Sequence, residues 1–329
     1  MLVLGLRCGR VKDRAPTTVD FHCGRVTDRA PTAPIFTVHR SSFWFSILGS
    51  RFSVLSNEEH MSFNESELYS GLATLHWGNY HDNGWDHDFY KRVIERSGGP
   101  ALELGCGGGR LLRAYRRAGL EVDGCDIAAD MVETCRRNAE AEGLHPTLYC
   151  QAMQELDVPR RYRTIYIPCG SIVCVMGRRH AIEAMRRCHE HLHQGGTLAF
   201  NVFVPDYDYS GRSPLPRPLG EWYRHHEVPL EGGRRLVIHR RPVAIDPVEQ
   251  IEQEERRFEL YDGETLLHSE VRAGQNHWYF KHEVLLMLEL AGFHHVQVKG
   301  DYSDDDFGPQ HRGTMVFLAH KGGTHAQNI

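Results

Sequence analysis

The run Ala101-Leu102-Glu103-Leu104-Gly105-Cys106-Gly107-Gly108-Gly109-Arg110 constrains the fold more than any other stretch. A short apolar segment meets a glycine-rich turn, and Leu111, Leu112 and Tyr115 follow at helical spacing. That order reads as strand, tight turn, helix. In a parallel sheet such a turn lies at the carboxyl end of a strand, where ligands bind. Glycine lets the backbone take positive φ and approach a ligand closely, and the helix behind the turn offers unpaired N–H groups.

A dinucleotide fingerprint needs a third small residue where helix and strand pack together. Counting from Gly105 and Gly107, that place falls on Arg110, a poor fit to an NAD or FAD turn. An acidic residue is expected at the end of the next strand, about 20 residues on, for ribose recognition. Val122-Asp123-Gly124-Cys125-Asp126 supplies it at Asp126. With this acid in register, the spacing Glu103-x-Gly105-x-Gly107-x-Gly109 resembles motif I of class I S-adenosylmethionine (SAM) methyltransferases.

The chain has 329 residues, enough for one large domain or two small ones. Its net charge of −5 implies no polyanionic partner, so no nucleic acid is expected. No apolar run is long enough to span a bilayer, and no membrane partner is expected. The nine cysteines are scattered without a CxxC pair, which reads as reduced thiols in a cytoplasmic protein.

Residues 1–60 read as a separate, disordered extension. Cys8-Gly9-Arg10-Val11-Lys12-Asp13-Arg14-Ala15-Pro16-Thr17 returns almost unchanged from Cys23 to Thr32, without a periodic apolar face. Phe43-Trp44-Phe45-Ser46-Ile47-Leu48 is apolar but short, and Asp13, Asp20 and Asp28 argue against an organelle transit peptide. The coherent domain is expected over 61–329.

That domain opens with a helical lead-in through Leu68, Leu72 and Leu75, and a helix is predicted from Asp86 to Arg96. Between them, Tyr80 and Trp85 sit in a polar loop just before the glycine turn, where a lid over a ligand competes with plain packing. A helix is predicted from Ala128 to about Glu142. Strands follow over Thr147–Met153, Arg163–Ile167 and Thr197–Val204, with a helix at Arg179–His193 before the last of these. His189 and His193 would share a helix face, but no carboxylate or cysteine converges on them, and no metal site is expected. Cys169 reads as a small strand-end residue.

Residues 205–280 depart from a minimal nucleotide fold. Alternating runs over Arg235–His239, Gln250–Leu260 and Leu266–Val271, with Asp262-Gly263 as a hairpin signal, predict a small antiparallel sheet. It is too charged to be buried on both faces, so one face is available to cover a substrate. A purely structural cap is the competing reading. A helix at Lys281–Ala291 and strands at Phe293–Val298 and Thr314–Ala319 close the chain.

Tyr69 to Lys321 resembles the small-molecule branch of class I SAM methyltransferases and is similar to the sugar N-methyltransferases of antibiotic pathways. The resemblance implies an α/β, Rossmann-like sheet of seven strands, mostly parallel with an antiparallel last strand, plus the inserted antiparallel sheet. It implies SAM as cofactor, held by Glu103, Gly105, Cys106, Gly107 and Gly109 of the turn, by Asp126, Ile127 and Met131, and by Ala152, Met153 and Pro168. Ala152 stands where many relatives carry an aspartate for the adenine amino group, and Ile167-Pro168-Cys169-Gly170 is not the Asn/Asp-Pro-Pro-aromatic motif of enzymes that methylate base or glutamine amino groups. A small-molecule acceptor is therefore expected, methylated on nitrogen or oxygen by in-line displacement, with His277 and Tyr279 as candidate proton acceptors. A homodimer is one option for its assembly. An NAD-type oxidoreductase and a non-catalytic SAM-binding protein are the competing readings.

Overall fold

The central strands of the main sheet, Ala101–Leu104 and Val122–Asp126, are short and buried at every position, the pattern of a sheet covered on both faces. The computed structural model describes residues 66–78, 84, 86–203, 218–311 and 313–322. The duplicated segment, the Phe43–Leu48 run, Tyr80 and Trp85 lie outside the described residues.

The chain enters through helix α1 (Leu72–Gly78) and helix α2 (His87–Ser97). Alternating strands and helices follow: β1 (Ala101–Leu104), α3 (Arg110–Arg117), β2 (Val122–Asp126), α4 (Ala129–Glu140), β3 (Leu148–Cys150) and β4 (Tyr162–Ile167). Helix α5 (Arg178–His191) leads into β5 (Leu192–Phe203). A second sheet comprises β6 (Tyr223–Pro229), β7 (Arg234–Asp246), β8 (Ile251–Asp262) and β9 (Thr265–His277). Helix α6 (Lys281–Leu290), β10 (His295–Gly300) and β11 (Thr314–His320) complete the first sheet.

The first sheet has seven strands in the order β10-β11-β5-β4-β1-β2-β3. β1 pairs in parallel with β2 and β4, and β11 runs antiparallel to both β5 and β10. The strand order reverses between β1 and β4, so their carboxyl ends flank the crevice where ligands bind in such sheets. Leu102, Ile165, Leu198 and Phe317 are fully buried in one core. Tyr90, Tyr115 and Tyr166 form another on the opposite side, under α2 and α3.

The second sheet is four-stranded and antiparallel, in the order β6-β7-β8-β9. It exceeds the sequence expectation by one strand, β6, whose Tyr-Arg-His-His-Glu-Val-Pro has no alternation to read. β7 and β9 also run longer than their apolar alternation, because pairing with β8 holds the polar ends extended. Asp262 and Thr265 close the β8–β9 hairpin, with Gly263 at φ 53°. A third cluster joins this sheet to α1, packing Leu236, Ile238 and Phe258 on Leu72 and Ala73. Glu270 of β9 accepts the N–H of Leu72 at 3.1 Å, at the start of α1.

Most boundaries of the first sheet shift by one to three residues from the sequence reading, and β5 begins five residues earlier, at Leu192 and not Thr197. His193 lies beyond the end of α5, in β5, so it shares no helix face with His189. His189 instead meets the edge of the Phe293 ring at 5.0 Å. His277 is the last residue of β9.

Candidate active site

The glycines of the turn divide the work among them. Gly105, Gly107 and Gly109 have φ of 71°, 51° and 83°, which L side chains rarely adopt. A Cβ on Gly107 would meet no atom within 4 Å, so this backbone faces open space. A Cβ on Gly108 would lie 2.5 Å from the Gly78 backbone, and one on Gly109 2.7 Å from Cys135 Sγ. Gly108 and Gly109 therefore serve packing, while the Gly107 backbone borders open space. The turn is tied to β2, since the N–H groups of Gly105 and Cys106 both donate to the Cys125 carbonyl.

Asp126 closes β2 beside this turn. Its Oδ2 accepts the N–H of Gly107 at 2.8 Å and its Oδ1 accepts that of Ala128 at 3.0 Å. Burial raises its carboxyl above the ordinary value, opposed by these backbone donors. Glu103, 2% exposed, accepts the Tyr166 hydroxyl at 2.8 Å, and burial pushes its carboxyl up to about 8. Arg110 forms a two-pronged pair with Asp86, at 2.9 and 2.6 Å, and reaches Cys169 Sγ at 3.3 Å. Across the crevice, the fully buried Asn201 of β5 accepts the Gly170 N–H at 2.9 Å and steadies the loop after β4.

These groups border a cavity of about 610 Å³. One wall is the crevice of the first sheet: Glu103, Gly105, Cys106, Gly107 and Asp126, then Ile127, Met131, Met153 and Pro168. The other wall is the second sheet, with Arg240, Glu252, Arg256, Asn276, His277 and Trp278. Ala152, Gly109 and Tyr279 do not line it. Tyr279 is 1% exposed, packed in the main core, and its hydroxyl has no hydrogen-bond partner among the described residues. His277 does line it, but its Nε2 accepts the Gly177 N–H at 2.9 Å. That bond places the ring proton on Nδ1 and occupies the basic lone pair.

The inner face of the second sheet is the part that sequence reasoning missed. Alternate residues of β8, Glu252, Glu254, Arg256 and Phe258, point the same way. Their neighbours across the ladders are Ile245, Pro242 and Arg240 on β7 and Asn276 and Gly274 on β9. Glu254 is 2% exposed and is clamped from both sides: Arg240 Nε donates to Oε2 and Arg256 Nε to Oε1, each at 2.6 Å. Burial works against its ionisation, but the two guanidiniums outweigh burial and hold its carboxyl below the usual range. The period-two pattern of β8 was the available signal, since it sets charged residues on the same face as Phe258.

Residues 101–196 match the family model described as a methyltransferase domain. Over these residues the chain is similar to methyltransferase domains. The ubiquinone biosynthesis O-methyltransferase of Xylella fastidiosa (strain 9a5c) is 30% identical to it over 168 residues, 44% of this chain and 66% of that protein. The alignment thus stops just short of two thirds of that relative. The CcbJ methyltransferase of Streptomyces caelestis has the same fold, with TM-score 0.59 and 20% identity over 79% of this chain and 100% of that one. A sugar N-methyltransferase of Streptoalloteichus sp. ATCC 53650 gives 0.57 and 18%, over 82% and 100%. The matched stretch holds the glycine turn, Asp126 and the loop after β4, whereas the second sheet falls outside residues 101–196.

Proposed function

We propose that the chain is a SAM-dependent methyltransferase that transfers a methyl group to a nitrogen or oxygen of a small molecule. The observation that carries this reading is the single cavity between the glycine turn and the charged face of the second sheet. The cofactor fits the residues present: Gly107 offers bare backbone facing open space, and Asp126 keeps lone pairs for a ribose diol after accepting two N–H groups. Ile127, Met131 and Met153 supply apolar surface for a purine, and Glu103 a carboxyl for a cationic amino group. SAM supplies an activated methyl on a sulfonium centre. The protein's share is to align the acceptor, exclude water and receive a proton. The second sheet would act as the substrate cap, and its polar inner face suits a polar acceptor.

A cytoplasmic setting agrees with seven free cysteines among the described residues, and no described helix is long and apolar enough to cross a membrane. A homodimer is the assembly to test, by light scattering on the purified chain.

Titration calorimetry with SAM and with NAD, then transfer of tritiated methyl to a low-molecular-weight metabolite fraction, tests the reading. SAM binding and labelled product are expected. NAD binding without SAM binding would identify an oxidoreductase, and SAM binding without transfer a non-catalytic protein.

A further inference from the structure

A methyl acceptor loses a proton in the reaction, and the cavity offers several groups that could take it. Most are already engaged. Glu103 holds the Tyr166 hydroxyl and Asp126 two backbone N–H groups, both on the wall proposed for the cofactor, and His277 uses its Nε2 lone pair on Gly177. Cys174 accepts the Tyr69 hydroxyl and donates to Asn276. Glu254, on the same face of β8, is saturated by two arginines. Glu252 differs from all of these. It lines the cavity, and its carboxylate makes no hydrogen bond or ion pair with any other described residue.

We infer that Glu252 is the proton acceptor of the methyl transfer, receiving the acceptor's N–H or O–H as a hydrogen bond and then taking its proton. The inference rests on the methyl-transfer reading above. In the step, the acceptor's N–H or O–H bond breaks and the proton passes to a Glu252 oxygen. The acceptor's electron pair forms the new bond to the methyl carbon, and sulfur keeps the pair of the carbon–sulfur bond that breaks. The protonated Glu252 then returns its proton to solvent.

Placement and electrostatics suit the role. Glu252 sits opposite Ile245 on β7 and Asn276 on β9, at the end of the inner face that borders the cavity. The charged groups facing it are Glu254 and Arg256 of its own strand and Arg240 of β7. His277 of β9, Tyr69, Cys174 and Tyr223 are among the other titratable groups lining the same cavity. Burial, then Glu254, raises the Glu252 carboxyl, and Arg240 and Arg256 pull it back. A carboxylate raised above its ordinary range is a stronger base than a free one. The Glu254 clamp keeps both arginines from closing on Glu252, so its lone pairs stay available.

The variants Glu252→Gln and Glu252→Asp test this with three measurements. Calorimetry should show SAM affinity within about threefold of the parent chain for both. Carbon-13 NMR of the carboxyls in the ligand-free chain should show a raised glutamate titration that is absent in Glu252→Gln. Tritiated methyl transfer to the metabolite fraction, followed over about pH 6–9, should slow about 100-fold in Glu252→Gln near neutrality, lose its acid limb and recover as pH rises, with Glu252→Asp partly active. A Glu252→Gln chain with the parent rate and pH profile, or a parent spectrum without the raised titration, overturns the inference while methyl transfer stands. A parent chain that binds no SAM, or binds it without transfer, removes the methyl-transfer reading and the inference together.

Discussion

The Gly107 N–H donates to Oδ2 of Asp126 at 2.8 Å, which joins the turn after β1 to the end of β2. One bond thereby sets the position of the bare backbone and of the carboxylate. With Oδ1 held by Ala128, the carboxylate is oriented before any ligand arrives. Losing it in a closed site leaves ligand hydroxyls unpaired and frees the turn. Asp126→Ala is expected to weaken SAM binding about 10-fold or more, measured by calorimetry on a variant whose folding is checked by circular dichroism.

The neighbouring glycines should separate binding from stability. Gly107→Val adds a side chain where no protein atom lies within 4 Å, so its main effect is to obstruct the ligand, with about 1 kcal/mol of strain from the positive φ. Gly108→Ala drives a Cβ to 2.5 Å from the Gly78 backbone. SAM affinity should collapse in the first while Tm falls by a few degrees. In the second Tm should fall further, since backbone must move.

Glu103 should couple ligand binding to protons. Its carboxyl stands at about 8 in place of 4.5, so the folded chain holds this proton more tightly than the unfolded one. The stability it contributes is intact below 4.5, falls as pH rises from there to about 8, and levels off above. Glu103→Gln removes the penalty and should raise the unfolding free energy of the ligand-free chain at pH 9, and with it Tm, by at most about 5 kcal/mol (at about 1.4 per unit). A cationic ligand favours the carboxylate, so SAM binding at pH 7 should release a proton. Binding enthalpies in buffers of different ionisation heat would show it, and the variant should not.

Glu254 anchors the second sheet. Glu254→Gln leaves Arg240 and Arg256 half-buried without a counter-charge, an expected loss of about 3 kcal/mol. Because its carboxyl is held below the usual range, the stability it provides is present above the ordinary carboxylate pKa and is lost as pH falls through the depressed value. Thermal melts of parent and variant should therefore converge in acid. Hydrogen exchange should quicken in β7 and β8 more than in β1 and β2.

The first sheet was legible because its signals are local. Apolar runs such as Ala101–Leu104, glycines that must take positive φ, and an acid at the next strand end all act within a few residues of one another. The sequence alone therefore determined the glycine turn and Asp126, and the seven-stranded plan followed from the family resemblance that they carry. The second sheet was legible only in its middle, where β8 alternates. β6 and the ends of β7 and β9 are extended because a partner strand holds them, and no local pattern records that. The far wall of the site followed the same rule. His277 and Tyr279 are two residues apart in sequence, yet only His277 borders the cavity, and its basic nitrogen is taken by Gly177, 100 positions away. Arg240, Glu254 and Arg256 become a clamp through strand register, which leaves Glu252 as a cavity carboxylate with no hydrogen bond or ion pair among the described residues. Which side chains meet across a ladder is a property of pairing, and only the tertiary structure decided it.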